Sequence, residues 1–406
     1  MKVVVTGMGM VTSLGEDVKS TWDGLINSKS GVTEISRFDA SGLDTKIAAE
    51  VDDVFEDKAK KIISRRMRKQ MTRTTRMAMV AAEEAIEDSG INDFEIDPFR
   101  IATIMGVIDT TYADAEIKEV DMNMVVKKMP NAPSANISIK NGYKGVNFNV
   151  SAACASSAYA VAIGTQFIKA GIYDAVIVGG TDSTITKAGV DGFNRIMALS
   201  VNNEDPKSAS CPFSKNRDGF VIGEGAGVMV IESEKLAKKR GVKVYGEILG
   251  YSFTSEAYNI TAPEDDGKGM ADTMRRAIEN AGIKIEDVDY INAHGTSTLL
   301  NDKFEAMAIK NVFKDKAKEL RVSSIKSMIG HTLGAAGAIE CISTLLTIKS
   351  GIIPPTINFD ESDIANDLNY VPNVAEIKAV DIALSNSFGF GGHNATLVIG
   401  KIGREK

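Results

Sequence analysis

Short β-branched runs and helix-period segments alternate along the whole chain. The runs KVVVTG, RIATIMGV, VNFNV, DAVIVGG, VMVIE, DYINA and RVSSI predict strands, and the Ala-, Glu- and Lys-rich stretches between them predict helices. This alternation predicts an α/β protein with buried sheets.

The pattern also repeats itself. AAEEAIEDSGINDFEID from Ala81 and TMRRAIENAGIKIEDVD from Thr273 share AIE-x-x-GI, a helix ended by Gly90 or Gly282 and followed by a turn towards a strand. NVSAACASSAYAVAIGTQFIKAG from Asn149 pairs with RVSSIKSMIGHTLGAAGAIECISTLLTIKSG from Arg321. In each member of this second pair, a strand ending in Val-Ser leads to a small-residue helix that stops at Lys-x-Gly. Two echoes in the same order predict a duplicated α/β half, with the break near LAKKRGVKVY, residues 236–245. Alanine and glycine crowd both helices of the second echo, which places those helices at the centre of the fold.

At 406 residues the chain is long enough for two domains or one large duplicated fold. With 44% apolar and 25% charged residues it reads as globular, and a net charge of -7 argues against a general nucleic-acid binder. One stretch runs against that charge: Lys58 to Arg76 holds nine cations and no acid, which favours an anionic partner over a merely solvated helix face. No run of about 18 apolar residues predicts a membrane span, and MKVVVTGMGM lacks signal-peptide character, so a cytoplasmic protein is expected. Cys154, Cys211 and Cys341 are too few and too scattered for a disulfide framework or a CxxC metal site, and each should be a free thiol.

Cys154 stands at a predicted helix N-terminus, where unsatisfied N–H groups favour a thiolate, although a lone free cysteine is more often a small buried hydrophobe. That bland reading suits Cys341 in GAIECISTLL, and Cys211 before a proline reads as a loop residue. The only histidines, His294 in NAHGTST, His331 in SMIGHTLGAAG and His393 in FGFGGHN, all lie near glycine in the second half. Such a backbone lets a ring face a cleft, so two of these with a helix-start cysteine amount to a nucleophile with acid/base or oxyanion partners. FGFGG, Phe388 to Gly392, predicts a strand running into a turn whose amides face a ligand. GMGMVTSLG lacks the GxGxxG spacing, which excludes a dinucleotide-binding reading.

In order along nearly the whole chain, VVVTGMGMVTSLG, ACASS, PFSKNRDGFVIGEGAG, NAHGTSTLLNDKFE, SSIKSMIGHTLGAAGAIE and NSFGFGG closely resemble the β-ketoacyl-acyl carrier protein synthases of the thiolase superfamily, most nearly the elongation type. The resemblance implies a thiolase-like five-layered α-β-α-β-α fold from two duplicated halves: 1–240 with the nucleophile, and 241–406 with two active-site histidines. It makes Cys154 the acyl acceptor and His294, His331 and Lys326 its catalytic companions. Glu340 becomes an acidic partner that supports His331 with Lys326, Asp302 and Glu305 supporting acids, and Phe390, beside Phe388, the gate and oxyanion-hole residue. The implied reaction is decarboxylative condensation of malonyl-carrier protein with a Cys-bound acyl chain in fatty acid elongation, with no metal and no redox cofactor. A ketosynthase of a type II polyketide or polyene pathway is the alternative, and a chain-length-factor-like structural partner is disfavoured because Cys154 is present. The implied partners are acyl- and malonyl-loaded acyl carrier protein, docking on Arg65, Arg68 and Lys69, and a second subunit in a homodimer, with a heterodimer the other arrangement. Two stretches depart from the family pattern. IDTTYADAEIKEVDMNMVVKKMP replaces a glycine-rich turn after RIATIMGV, which leaves chain length open, and Ser214 stands where the family usually has an acid.

Overall fold

The computed structural model describes residues 1–109, 122–365 and 367–403. Its main sheet has ten strands: β1 (Val3–Val11), β2 (Ile101–Gly106), β3 (Asn147–Val150), β4 (Ala175–Asp182), β5 (Gly225–Ser233), β6 (Gly246–Ser255), β7 (Tyr290–Asn292), β8 (Arg321–Ser323), β9 (Ile382–Gly389) and β10 (His393–Gly400). Their spatial order is β8-β7-β9-β10-β6-β1-β5-β4-β2-β3. Counted outward from the middle, the first five strands run 1-5-4-2-3 and the second five run 6-10-9-7-8, the same order shifted by five. Strand directions repeat as well: β2 is parallel to β3 and β4 as β7 is to β8 and β9, while β5 and β10 run antiparallel to both their neighbours. Only two residue pairs, Val4 with Glu247 and Val5 with Gly246, join the two sets.

Six helices complete the layers: α1 (Arg73–Ser89), α2 (Ala132–Asn141), α3 (Ser156–Lys169), α4 (Lys268–Ala281), α5 (Leu299–Phe313) and α6 (Ala336–Ser350). α1 covers the outer face of β1 and β5, α4 covers β6 and β10, and α3 and α6 lie between the two strand sets and touch both. The result is the five-layered thiolase-like arrangement. With helices over both faces, β1, β2, β4 and β5 are buried along their full length, which is why they read as unbroken apolar runs.

The two sequence echoes map onto this repeat. α1 and α4 end at Gly90 (φ 59°) and Gly282 (φ 65°), left-handed caps that satisfy the last carbonyls. α3 and α6 are the central pair, and they need their small residues: a Cβ on Gly337 would stand 2.9 Å from Ala158. Leu333–Ser350 is the one helical run among the described residues apolar and long enough to cross a membrane, and 89% of it is buried between the strand sets. β6 and β10 are strands that the sequence pattern does not announce.

Candidate active site

Cys154 sits where β3 gives way to α3. The chain reverses through Ala153, whose φ of 47° is left-handed and costly for a residue with a side chain. Ser156 stitches the turn, its hydroxyl accepting from Ala152 N (2.9 Å) and donating to Ala153 O (2.6 Å). The helix starts at Ser156, so the sulfur lies two residues ahead of it. It faces a cavity of about 710 Å³ lined by Ile108, Phe193, Met197, Phe220 and Leu333 among apolar groups and by Thr296, Thr298 and Asn301 among polar ones.

The turn after β9 presses on this elbow: a Cβ on Gly389 would stand 3.0 Å from Cys154 N. Burial pushes the Cys154 thiol up to about 12, against the charge of Lys326 and the N–H groups of Phe390 and of Cys154 itself. A stabilised thiolate, expected from a helix N-terminus, is therefore not the resting state. The helix begins too late to face the sulfur closely, and desolvation outweighs the donors. Those two N–H groups both face the Cys154 sulfur.

His294 and His331 enter from loops of the second half, and one donor atom from each lies with the Cys154 sulfur inside a 4.8 Å span. Two carboxylates on α5, three residues apart and so on one face, take up the buried N–H groups of the His294 loop. Glu305 accepts from His294 N and Gly295 N, both at 2.8 Å, and from Asn386 Nδ2 at 3.2 Å. Asp302 accepts from Thr296 N (2.9 Å), Ser297 N (3.1 Å) and Phe213 N (2.8 Å). Burial pushes both carboxyls up, Glu305 to about 7, against these donors.

Lys326 Nζ forms a fully buried ion pair with Glu340 on α6 and lies 3.4 Å from His294 Nδ1. The resemblance had placed this pair behind His331. That place is taken, because His331 Nδ1 accepts from Leu333 N (3.2 Å) at a left-handed turn (Leu333 φ 51°). An ammonium at one Nδ1 and an amide donor at the other leave the ring proton on Nε2 in both histidines. Nε2 of His331 is buried and has no hydrogen-bond partner among the described residues. Burial and the Lys326 charge hold both rings well below the ordinary imidazole range, so both are neutral donors.

The Cys-His-His spacing invites a metal, yet the surroundings oppose one. A histidine that ligates through Nε2 carries its proton on Nδ1 and donates it to an acceptor. Here each Nδ1 meets a donor instead, so the residues do not fit a metal ion.

Comparison with known proteins decides between families. Residues 1–237 match the beta-ketoacyl synthase N-terminal domain and residues 245–360 the C-terminal domain. The chain belongs to the beta-ketoacyl synthase family. It is 41% identical to a 3-oxoacyl-[acyl-carrier-protein] synthase 2 of Coxiella burnetii over 99% of both chains, and 40% identical to the Synechocystis protein of the same name over 98% of both. Among solved structures it resembles a type II PKS acyl-carrier protein in complex with its ketosynthase bound to the hexaketide, at 32% identity and a TM-score of 0.86 over 99% of both chains.

In this beta-ketoacyl synthase, Phe388 is buried beside His294, at 6.1 Å between ring centroids, and Phe390 is partly exposed on the cavity wall. His393, the third glycine-flanked histidine, opens β10 and does not line the cavity. The Ser214 hydroxyl donates to Glu361 O (3.4 Å), and its carbonyl accepts from Arg217 Nη1 (2.8 Å), which finds a carboxylate on Asp363 (2.5 Å). Ile108 lines the cavity, whereas residues 110–121 of the departing segment lie outside the described residues.

The basic run divides. Lys58 pairs with Asp17 (2.9 Å), Lys60 with Asp57 (2.7 Å) and Arg76 with Glu56 (2.9 Å). Arg73 is buried against Glu224, which Arg37 also grips; against its burial, these two charges hold Glu224 at about 2. Arg65, Arg66 and Lys69 line a surface cleft with Gln70, Met122 and Asn123, while Arg68 is half-buried and donates Nε to Ile63 O (3.1 Å). Sequence reading missed Thr296 and Thr298 on the cavity wall, and it missed Asp182, whose one signal is an acid closing the buried run AVIVGGTD.

Proposed function

We propose that this chain is an elongation-type 3-oxoacyl-[acyl-carrier-protein] synthase. The observation that carries the reading is the convergence on one cavity of a nucleophilic thiol, two oxyanion N–H donors and two Nε2–H imidazoles. In the first half-reaction the thiol of Cys154 attacks an acyl-carrier thioester. The N–H groups of Cys154 and Phe390 hold the oxyanion, and the thiol proton leaves on the released carrier thiol. Next, malonyl-carrier protein binds with its thioester oxygen towards Nε2 of His294 and His331. Carbon dioxide departs, the enolate attacks the acyl-Cys154 carbon, and the sulfur leaves and regains a proton. The product is a 3-oxoacyl-carrier thioester two carbons longer, and the balance needs no metal or redox partner.

Relatives at about 40% identity over the full length carry the elongation name, which favours fatty acid synthesis. The polyketide ketosynthase at 32% supports a type II polyketide role as the second reading. Supplying acyl-carriers of graded length with malonyl-carrier protein and analysing the products tests both. A 3-oxoacyl product from saturated acyl donors supports elongation; products only from polyketone donors transfer the assignment to the second reading, and free acid alone overturns both.

Because burial and the Lys326 charge hold both imidazoles neutral, the ring nitrogen NMR shifts of His294 and His331 should not move between about pH 6 and 8, although Glu305 and Asp182, pushed up to about 7, titrate in that window. A ring shift with a midpoint near the ordinary imidazole value of about 6.5 would defeat the neutral-donor assignment. For carrier docking, Arg65→Glu, Arg68→Glu and Lys69→Glu together should raise KM for carrier-linked substrate about tenfold and spare small thioester analogues. Equal losses on both substrates would remove the docking role.

The repeated strand order supports a division into halves 1–240 and 241–406. The sheet ends at β3, a partly exposed edge strand flanked by exposed Val146 and Ile139, and this supports a homodimer joined along that edge. We place the enzyme in the cytoplasm, where its carrier protein would be met.

A further inference from the structure

We propose that Asp182 is a positioning residue that fixes the His331 turn by tying it, through one carboxylate, to the backbone at Ile108. Asp182 closes β4 and is fully buried, and the described residues show no cation paired with it. Its Oδ2 accepts from Gly334 N and from Ile108 N, both at 3.2 Å, while Oδ1 accepts from Ser183 N (3.1 Å) and Thr184 Oγ1 (3.0 Å). A single oxygen thus ties two segments that are far apart in sequence. Gly334 follows Leu333, whose N–H sets the His331 tautomer, and Ile108 lines the cavity that faces Cys154.

The packing leaves this turn little room: a Cβ on Gly334 would stand 2.9 Å from Asp182 Oδ2 and 3.0 Å from Ile108 N. Without the carboxylate, both N–H groups would be buried and unpaired, and the turn would relax to find other acceptors. Leu333 N would then drift from His331 Nδ1, freeing the ring to change tautomer and aim. The charged and titratable groups around His331 are Cys154, His294 and Lys326, with Asp182 behind the turn. None of these can replace the Leu333 donor, since His294 and Cys154 lie on the cavity side and Lys326 is held by Glu340. Asp182 also raises the Cys154 thiol pKa, which sets its charge against its geometric role.

The test compares Asp182→Ala with Asp182→Asn in the full-length enzyme. An asparagine oxygen can keep the Ile108 and Gly334 bonds by facing them, with its amide donating to Thr184 Oγ1 and only the Ser183 N–H losing its acceptor, so it removes the charge and retains the tie. Asp182→Ala is expected to lower kcat for malonyl decarboxylation about 10- to 100-fold with KM and the rate of Cys154 acylation within about twofold. His331 should stay neutral in this variant, since burial and the Lys326 charge still act on it and removing an anion does not raise an imidazole pKa. Asp182→Asn should recover decarboxylation to within about fivefold. If Asp182→Ala fails to fold, the asparagine variant still decides: a loss as deep as about 100-fold there would assign the effect to charge and overturn the proposal. Equal loss of acylation and decarboxylation in Asp182→Ala would overturn it as well, since a general structural role acts on both half-reactions.

Discussion

Cys154→Ala protein incubated with any acyl-carrier protein should gain no acyl mass, and its condensation rate should fall by on the order of 10⁴-fold or more. The same variant should still release carbon dioxide from malonyl-carrier protein. This separation follows from the geometry: the groups that would receive the malonyl thioester oxygen are Nε2 of His294 and His331, and neither depends on the sulfur for its tautomer. Removing the thiol also removes a buried group of modest size whose environment is largely apolar, so the fold should survive with its thermal midpoint little changed. Intact mass spectrometry after acyl transfer, with carbon dioxide release measured in parallel, reads both halves of the chemistry. Acylation of the alanine variant would mean another nucleophile, and Cys211 and Cys341 are poor substitutes because neither lines the cavity. Loss of decarboxylation together with acylation would mean that the sulfur helps to bind or polarise the malonyl group.

Much of this site is legible in the sequence because its residues are rare types in restrictive backbone settings. Three histidines in the chain, two of them beside glycines that end strands or open helices, leave few ways to assemble a cysteine-histidine centre. The duplicated fold is legible for a related reason: helix ends need left-handed caps, and close-packed central helices need small residues, so both copies keep the same marks. What escapes sequence reading is the partner of each polar group. Lys326 lies five residues before His331 and thirty-two after His294, and only the path of the chain turns it towards the more distant one. Asp182 escapes because one acid after a buried strand is common, and its importance comes from two N–H groups brought in from residues 108 and 334. The basic run misleads in part, since charge counted along the chain ignores the acids that folding brings opposite it. Asp17, Glu56 and Glu224 take up Lys58, Arg76 and Arg73. β6 and β10 go unannounced because glycines and polar residues interrupt their apolar patterns.

Replacing Lys326 and Glu340 singly and together should split stability from catalysis. In Lys326→Met, Glu340 is left as a buried carboxylate with Oε2 already lacking a partner, and in Glu340→Gln the ammonium loses its counterion. Breaking a buried pair from one side costs about 3–5 kcal/mol, which for a chain of this size lowers the thermal midpoint by about 4–6 °C. The Lys326→Met/Glu340→Leu double variant removes both charges and puts apolar groups of similar volume in their place. Since such replacements are close to neutral, the midpoint should return to within about 2 °C of wild type. Activity should not return with it. His294 Nδ1 would no longer face a donor, its proton could settle on either nitrogen, and the ring would present a lone pair to the thioester oxygen for part of the time. Decarboxylation in the double variant should therefore stay about tenfold down, short of the about 100-fold loss of a removed oxyanion donor because the productive tautomer is still partly populated, while acylation of Cys154 changes far less. Melting curves and the two half-reaction rates on all three variants check this together. A double variant that recovers its midpoint and its decarboxylation rate alike would reduce the ion pair to a structural strut. One that recovers neither would show that the two apolar replacements pack badly, and restoring charge in reversed order through Lys326→Glu/Glu340→Lys would then separate the two: that exchange rebuilds a pair but places a carboxylate at His294 Nδ1, so it should regain stability while the ring tautomer, and with it decarboxylation, is lost.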